Sequence, residues 1–243
     1  MKYTFSPDAG RGAYFKGTSN CLSALLAADR YDELLELLER APYKMWHERQ
    51  YGMKALVAQG KKAEAIRYAE EGRGLNDNPV VIARACEEVL LSSGLVDEAY
   101  RRYGITANPT GTSLGTFRSV AKKYPHKPAG ELLADLVKTT PGEEGKWFAA
   151  AKEAGLYDEA LALAGRTPCD PKTLARAARD FAETEPAFAL GAGLLALHWL
   201  VQGYGYEITG ADVWDAYRAT LAAAERHGTA TDVHQRIRTL LET

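Results

Sequence analysis

Three groups of residues have the types and spacing that could do chemistry. Asp212 and Asp215 bracket Trp214, and an aromatic ring beside a carboxylate suits an enzyme that works on a nucleic-acid base. Such an enzyme also needs a strongly basic surface, because phosphate contacts dominate its affinity. The chain carries 30 Lys and Arg against 32 Asp and Glu, a formal charge of −2, which argues against a nucleic-acid partner. His227 and His234 are seven residues apart across Gly228, on separate helices, and the spacing supplies no third metal ligand. His198 lies within an apolar run, where a hydrogen-bonded core histidine is commoner than a catalytic base. Cys21, Cys86 and Cys169 are far apart, with no paired ligand spacing, and read as buried thiols in a reducing cytosol. The sequence holds no glycine-rich phosphate loop, nucleophile elbow or Cys/His dyad. No catalytic residue, cofactor or metal is therefore expected.

The elements that must position these residues are helices, and they recur. A helix stop followed by an amphipathic start reads Gly60 Lys61 Lys62 Ala63 Glu64 Ala65 Ile66, then Gly94 Leu95 Val96 Asp97 Glu98 Ala99 Tyr100, then Gly155 Leu156 Tyr157 Asp158 Glu159 Ala160 Leu161. A looser copy, Asp29 Arg30 Tyr31 Asp32 Glu33 Leu34 Leu35, precedes them, and turns containing Pro125 and Pro186 begin helices in the same phase. The starts at 29, 60, 94, 125, 155 and 186 are separated by 31, 34, 31, 30 and 31 residues. A period in that range marks stacked helix-turn-helix units, so the expected architecture is all-α. One helical-repeat domain is expected over residues 18–243, ending in a divergent hairpin and a capping helix, after an irregular lead-in over 1–17.

Local signals fill in the helices between the repeats. Leucines at 34, 35, 37 and 38 form a helical face, and Pro42 ends it. Asn78 with Pro79, and Asp170 with Pro171, each pair an N-cap with proline at the first helical position. Thr140, Pro141 and Glu143 mark a further start, and Thr209 with Asp212 suggests a capping box. Residues 186 to 206 contain no Asp, Glu, Lys or Arg, yet glycines, Pro186, His198 and Gln202 interrupt them. That run is expected to be a buried central helix, with no membrane span.

The recurring phrase resembles the second half of a tetratricopeptide repeat, in which a glycine ends the first helix and an aromatic, two acids, an alanine and an apolar residue start the second. Ala65, Ala99 and Ala160 would leave room for close helix approach. The family's small residue in the first helix falls here on Met53, Glu87 and Phe148. The resemblance covers roughly residues 18 to 202 and implies a right-handed α-α superhelix whose first helices line a concave, peptide-binding groove. By register it places His47, Gln50, Lys54, Arg84, Glu88 and Ser92 in that groove, with Lys122, Lys123, Lys152, Arg176 and Asp180 from later units. Basic groups exceed acidic ones in this set, which suits an acidic segment or a terminal carboxylate.

Aromatic residues offer a second surface. Trp199, Tyr204, Tyr206, Trp214 and Tyr217 crowd around the connection that breaks the repeat period, either sealing the end of the stack or forming a homodimer or partner contact. Tyr43, Trp46, His47 and Tyr51 invite the same two readings. The expected function is a cytoplasmic, non-enzymatic scaffold that binds a protein or peptide through the groove or the aromatic edge. The alternative is an enzyme on a HEAT-like solenoid similar to alkylpurine DNA glycosylases, with Trp214 and its neighbouring aspartates at its centre.

Overall fold

The computed structural model describes residues 17–41, 45–72 and 77–241. Tyr43 and most of the lead-in lie outside them. All regular structure among the described residues is helical, with no strand. The chain divides into two compact units, Met1–Pro109 and Thr110–Thr243.

The first unit holds α1 (Thr18–Ala27), α2 (Tyr31–Glu39), α3 (Trp46–Ala58), α4 (Lys62–Glu71), α5 (Pro79–Leu91) and α6 (Val96–Ala99). The recurring phrase has one physical basis in all its copies. Gly60, Gly94 and Gly155 adopt φ of +79°, +74° and +72°, the left-handed conformation that glycine enters without a Cβ penalty. The looser copy puts Asp29 in the same place, at φ +54°. The next amide then reaches five residues back in each case: Arg30 to Leu25, Lys61 to Leu56, Leu95 to Leu90 and Leu156 to Ala151, at 2.9–3.0 Å. These bonds satisfy carbonyls that a helix end otherwise leaves open. Ala65, Ala99 and Ala160 are fully buried, so the next helix crosses close to its partner. Met53, Glu87 and Phe148, which stand where the family has a small residue, are also buried.

α6 departs from a plain α-helix. After Ala99 the chain widens into a π turn over Tyr100–Gly104. There the adjacent Arg102 and Tyr103 both reach the Glu70 carboxylate of α4, Arg102 at 2.8 and 2.9 Å and the Tyr103 hydroxyl at 2.6 Å. Consecutive side chains on an α-helix diverge by ~100° about the axis, and the wider turn reduces that angle. Nearby, the fully buried Glu87 accepts from Asn108 Nδ2 at 2.7 Å.

The second unit holds α7 (Ser113–Lys123), α8 (Ala129–Val137), α9 (Phe148–Glu153), α10 (Tyr157–Arg166), α11 (Pro171–Phe181), α12 (Pro186–Val201), α13 (Gly210–His227) and α14 (Ala230–Leu241). The expected start at Thr140 gives only a 3-10 turn, Glu144–Trp147, before the short α9. Gly145 explains this: a Cβ there would lie 2.5 Å from the carbonyl oxygens of Thr167 and Pro168, so this segment is pressed against the turn that follows α10. The charge-free α12 is packed by α10, α11, α13 and α14, which is why its sequence can be apolar all round. α11 and α13 meet directly as well as through α12, and the α1–α2–α3 and α7–α8–α9 triplets repeat that arrangement.

Candidate functional site

Among the described residues, α11 and α13 enclose an open cleft of about 590 Å³. Its first wall is built by helical periodicity. Asp170 accepts from the Thr173 amide at 3.0 Å and Pro171 presets the first turn, which fixes the start of α11. Leu174, Ala177 and Ala178 then face the core, leaving Lys172, Ala175, Arg176 and Arg179 toward the cleft. The second wall begins at a capping box. The Thr209 amide and hydroxyl donate to Asp212 Oδ2 at 2.8 and 2.7 Å, and the Asp212 amide donates back to the Thr209 hydroxyl. Ala216, Thr220, Ala223 and Ala224 bury the inner face of α13. Asp212, Asp215, Arg218, Ala219 and Ala222 line the cleft. Leu200 of α12 and Ile208 supply an apolar floor.

Charge in the cleft is unevenly compensated. Lys172 Nζ lies 3.5 Å from Asp212 Oδ2 and also donates to the Glu207 carbonyl at 3.1 Å. The Thr209 hydroxyl and amide, helped by Lys172, hold the Asp212 carboxyl below the usual aspartate range. Arg218 pairs with Asp215 one turn earlier on its own helix. Arg179 pairs with its neighbour Asp180 at 2.8 Å, outside the cleft lining. Arg176 makes no ion pair or hydrogen bond among the described residues. Four cationic side chains thus face two carboxylates.

Of the groove residues expected from register, Arg176 lines this cleft. Lys152 is half-buried with its ammonium 5.5 Å from the Phe181 ring centroid, and Asp180 holds Arg179. Lys122 and Lys123 are exposed at the end of α7. In the first unit His47, Gln50 and Lys54 share one stripe of α3. There Gln50 donates to the His47 carbonyl at 2.9 Å and Lys54 lies 5.6 Å from the Tyr51 ring centroid. Arg84 donates to the Ala107 carbonyl at 2.6 Å and so ties α5 to the end of the π segment, while Glu88 and Ser92 are exposed. Lys172, Arg179 and Arg218 were the cleft residues that register did not single out. The signal for the first two was the i, i+4, i+7 spacing of Lys172, Arg176 and Arg179.

The aromatic group separates into two sets. Trp199 is buried, donates its indole N–H to the Ala164 carbonyl at 2.8 Å, and meets Tyr204 edge-on at 5.1 Å. Trp214 is 57% exposed and stacks on Tyr217 at 5.4 Å on α13. Tyr206 is 80% exposed. Trp46 donates its backbone N–H to Asp77 at 3.0 Å. The two aspartates beside Trp214 are both engaged, Asp212 in the cap and Asp215 with Arg218.

Among the described residues no group of three or more His, Cys, Asp or Glu is placed to hold a metal ion. Burial pushes the Cys86 thiol up to about 11 and the Cys169 thiol up to about 12, far from thiolate chemistry. His198 packs edge-on against Trp199 at 4.7 Å. Among the described residues no helix is long and apolar enough to cross a membrane. No protein-family model matches the chain, and a search of the curated proteins returns no match.

Proposed function

We propose that the protein is a non-enzymatic, cytoplasmic interaction module that binds an extended peptide segment of another protein in the α11–α13 cleft. In this reading the hairpins of each unit stack as a right-handed, tetratricopeptide-like superhelix. α11 and α13 are then successive first helices, and the cleft is part of the concave face. The observation that carries the proposal is the cleft itself, with charged walls from α11 and α13 and an apolar floor at Leu200 and Ile208. A floor of this kind takes aliphatic side chains, while the walls orient a backbone and its polar groups. The exposed Trp214–Tyr217 stack is a second contact surface, open to a partner or a second copy of the chain.

The test is peptide display against the purified full chain, followed by hydrogen exchange of the protein with a selected peptide. Slowed exchange in α11 and α13, lost when Leu200 is replaced by lysine, is the expected result. Selection of no peptide, or protection confined to other helices, would sink the proposal.

A further inference from the structure

We propose that the cleft recognises a peptide carrying a single phosphorylated serine or threonine, an inference that rests on the peptide-binding reading above. The argument is one of charge and of how firmly each charge is held. Lys172 is fixed between Asp212 and the Glu207 carbonyl, and Asp212 is itself fixed by Thr209, so this pair stays closed. The remaining cations are free or loosely held. Arg176 has no ion pair or hydrogen bond among the described residues. Arg179 is held only by Asp180, with the two side chains 69% and 44% exposed, and Arg218 by Asp215 at 62% and 65%. Ion pairs this exposed are weak and exchange readily for a better acceptor.

Arg176 and Arg179 stand one turn apart on α11, and Arg218 faces them from α13. Three guanidinium groups around one short cleft suit an anion with three strong acceptor oxygens. With Asp180 holding Arg179 from outside the lining, one positive charge is left uncompensated at Arg176, and a phosphate of about −1.5 to −2 at pH 7 has the further charge and the third acceptor oxygen to draw Arg179 and Arg218 from their exposed partners. A continuous polyanion is disfavoured, because Asp212 and Asp215 stand in the same wall and would repel a run of phosphates. The Leu200 and Ile208 floor accommodates an aliphatic residue beside the phosphorylated one.

The experiment uses the full chain and three fluorescein-labelled degenerate peptide libraries that differ only at a central phosphoserine, serine or aspartate. Fluorescence polarisation reads binding, with a labelled single-stranded oligothymidine as the nucleic-acid arm. The phosphoserine library should bind about tenfold or more tighter than the serine library, with aspartate between them. Arg176→Gln should remove most of that advantage while circular dichroism stays unchanged, because its side chain makes no ion pair or hydrogen bond among the described residues. Lowering the pH from 7.5 to 5.5 should weaken the phosphoserine library alone, since the phosphate gains a proton near pH 6. Equal binding of phosphoserine and serine libraries overturns the phosphate inference and leaves the peptide reading standing. Binding of no library overturns both, and tighter binding of oligothymidine than of phosphopeptide overturns both in favour of nucleic acid.

Discussion

Replacing Gly193 with alanine should destabilise the second unit, although the same change in an ordinary helix stabilises it. Gly193 lies in α12 against Thr220 of α13. A Cβ built there falls 2.5 Å from Thr220 Oγ1 and 3.0 Å from both Thr220 Cα and Cβ. Thr220 cannot swing aside freely, because it is fully buried and its hydroxyl donates to the Ala216 carbonyl at 2.7 Å. Ordinary carbon contact begins near 3.5 Å, so the two helices must part by about half an ångström. Overpacking of this size costs about 1–3 kcal/mol, against a helix-propensity gain of about 1 kcal/mol for Gly→Ala. The net loss should be up to about 2 kcal/mol, or a fall of up to several degrees in Tm for a chain of this length.

Urea titration followed by circular dichroism measures the loss, and Gly165→Ala in α10 is the matched control. There the nearest atom, Leu195 Cδ2, is 3.8 Å from the added Cβ, an ordinary contact, so stability should rise by about 0.5–1 kcal/mol. If Gly193→Ala is stabilising like the control, the close α12–α13 approach is wrong.

Other perturbations probe separate parts of the structure. Asp29→Gly should stabilise the first unit by up to about 1 kcal/mol, since it relieves a left-handed non-glycine residue at the cost of an exposed hydrogen bond from Tyr31. A loss of stability in the same urea titration would contradict that balance. With a thiol reagent at pH 8, the half-buried Cys21 should react in the native protein while Cys86 and Cys169 wait for unfolding. Native-state reaction of either buried thiol, mapped by mass spectrometry, would refute its placement. Because the Asp212 pKa is lowered on folding, its contribution is present above the ordinary aspartate value of 3.8 and is lost as pH falls through the lowered one. The stability difference between wild type and Asp212→Asn should therefore be present at pH 7 and close below pH 3.8; a difference that persists there would mean the charge on Asp212 is not its source.

Helix positions were legible in the sequence where one residue's backbone preference decides the local structure. Proline can open α5, α11 and α12 because the first turn needs no amide donor there, and Asn78, Asp170 and Thr209 cap helices because their side chains reach the next free amides. The 3-10 turn before α9 and the π turn after α6 were not legible. The first depends on the approach of the Thr167 and Pro168 carbonyls to Gly145 and the second on Glu70, 32 residues from Arg102, so neither shows in a local window.

The candidate site divides the same way. Helical spacing alone puts Lys172, Arg176 and Arg179 on one face of α11, and the Thr209–Asp212 cap alone starts α13. Only the tertiary structure decided that these faces oppose each other across Leu200, that Arg179 and Arg218 hold their own neighbours, and that Arg176 is left open. It likewise turned Trp199 inward to the Ala164 carbonyl and left Trp214 outside. Backbone preference acts within a few residues, so the chain alone fixes where helices begin and end. The facing of two helices depends on which side chains fill the space between them, as where Gly193 of α12 meets Thr220 of α13.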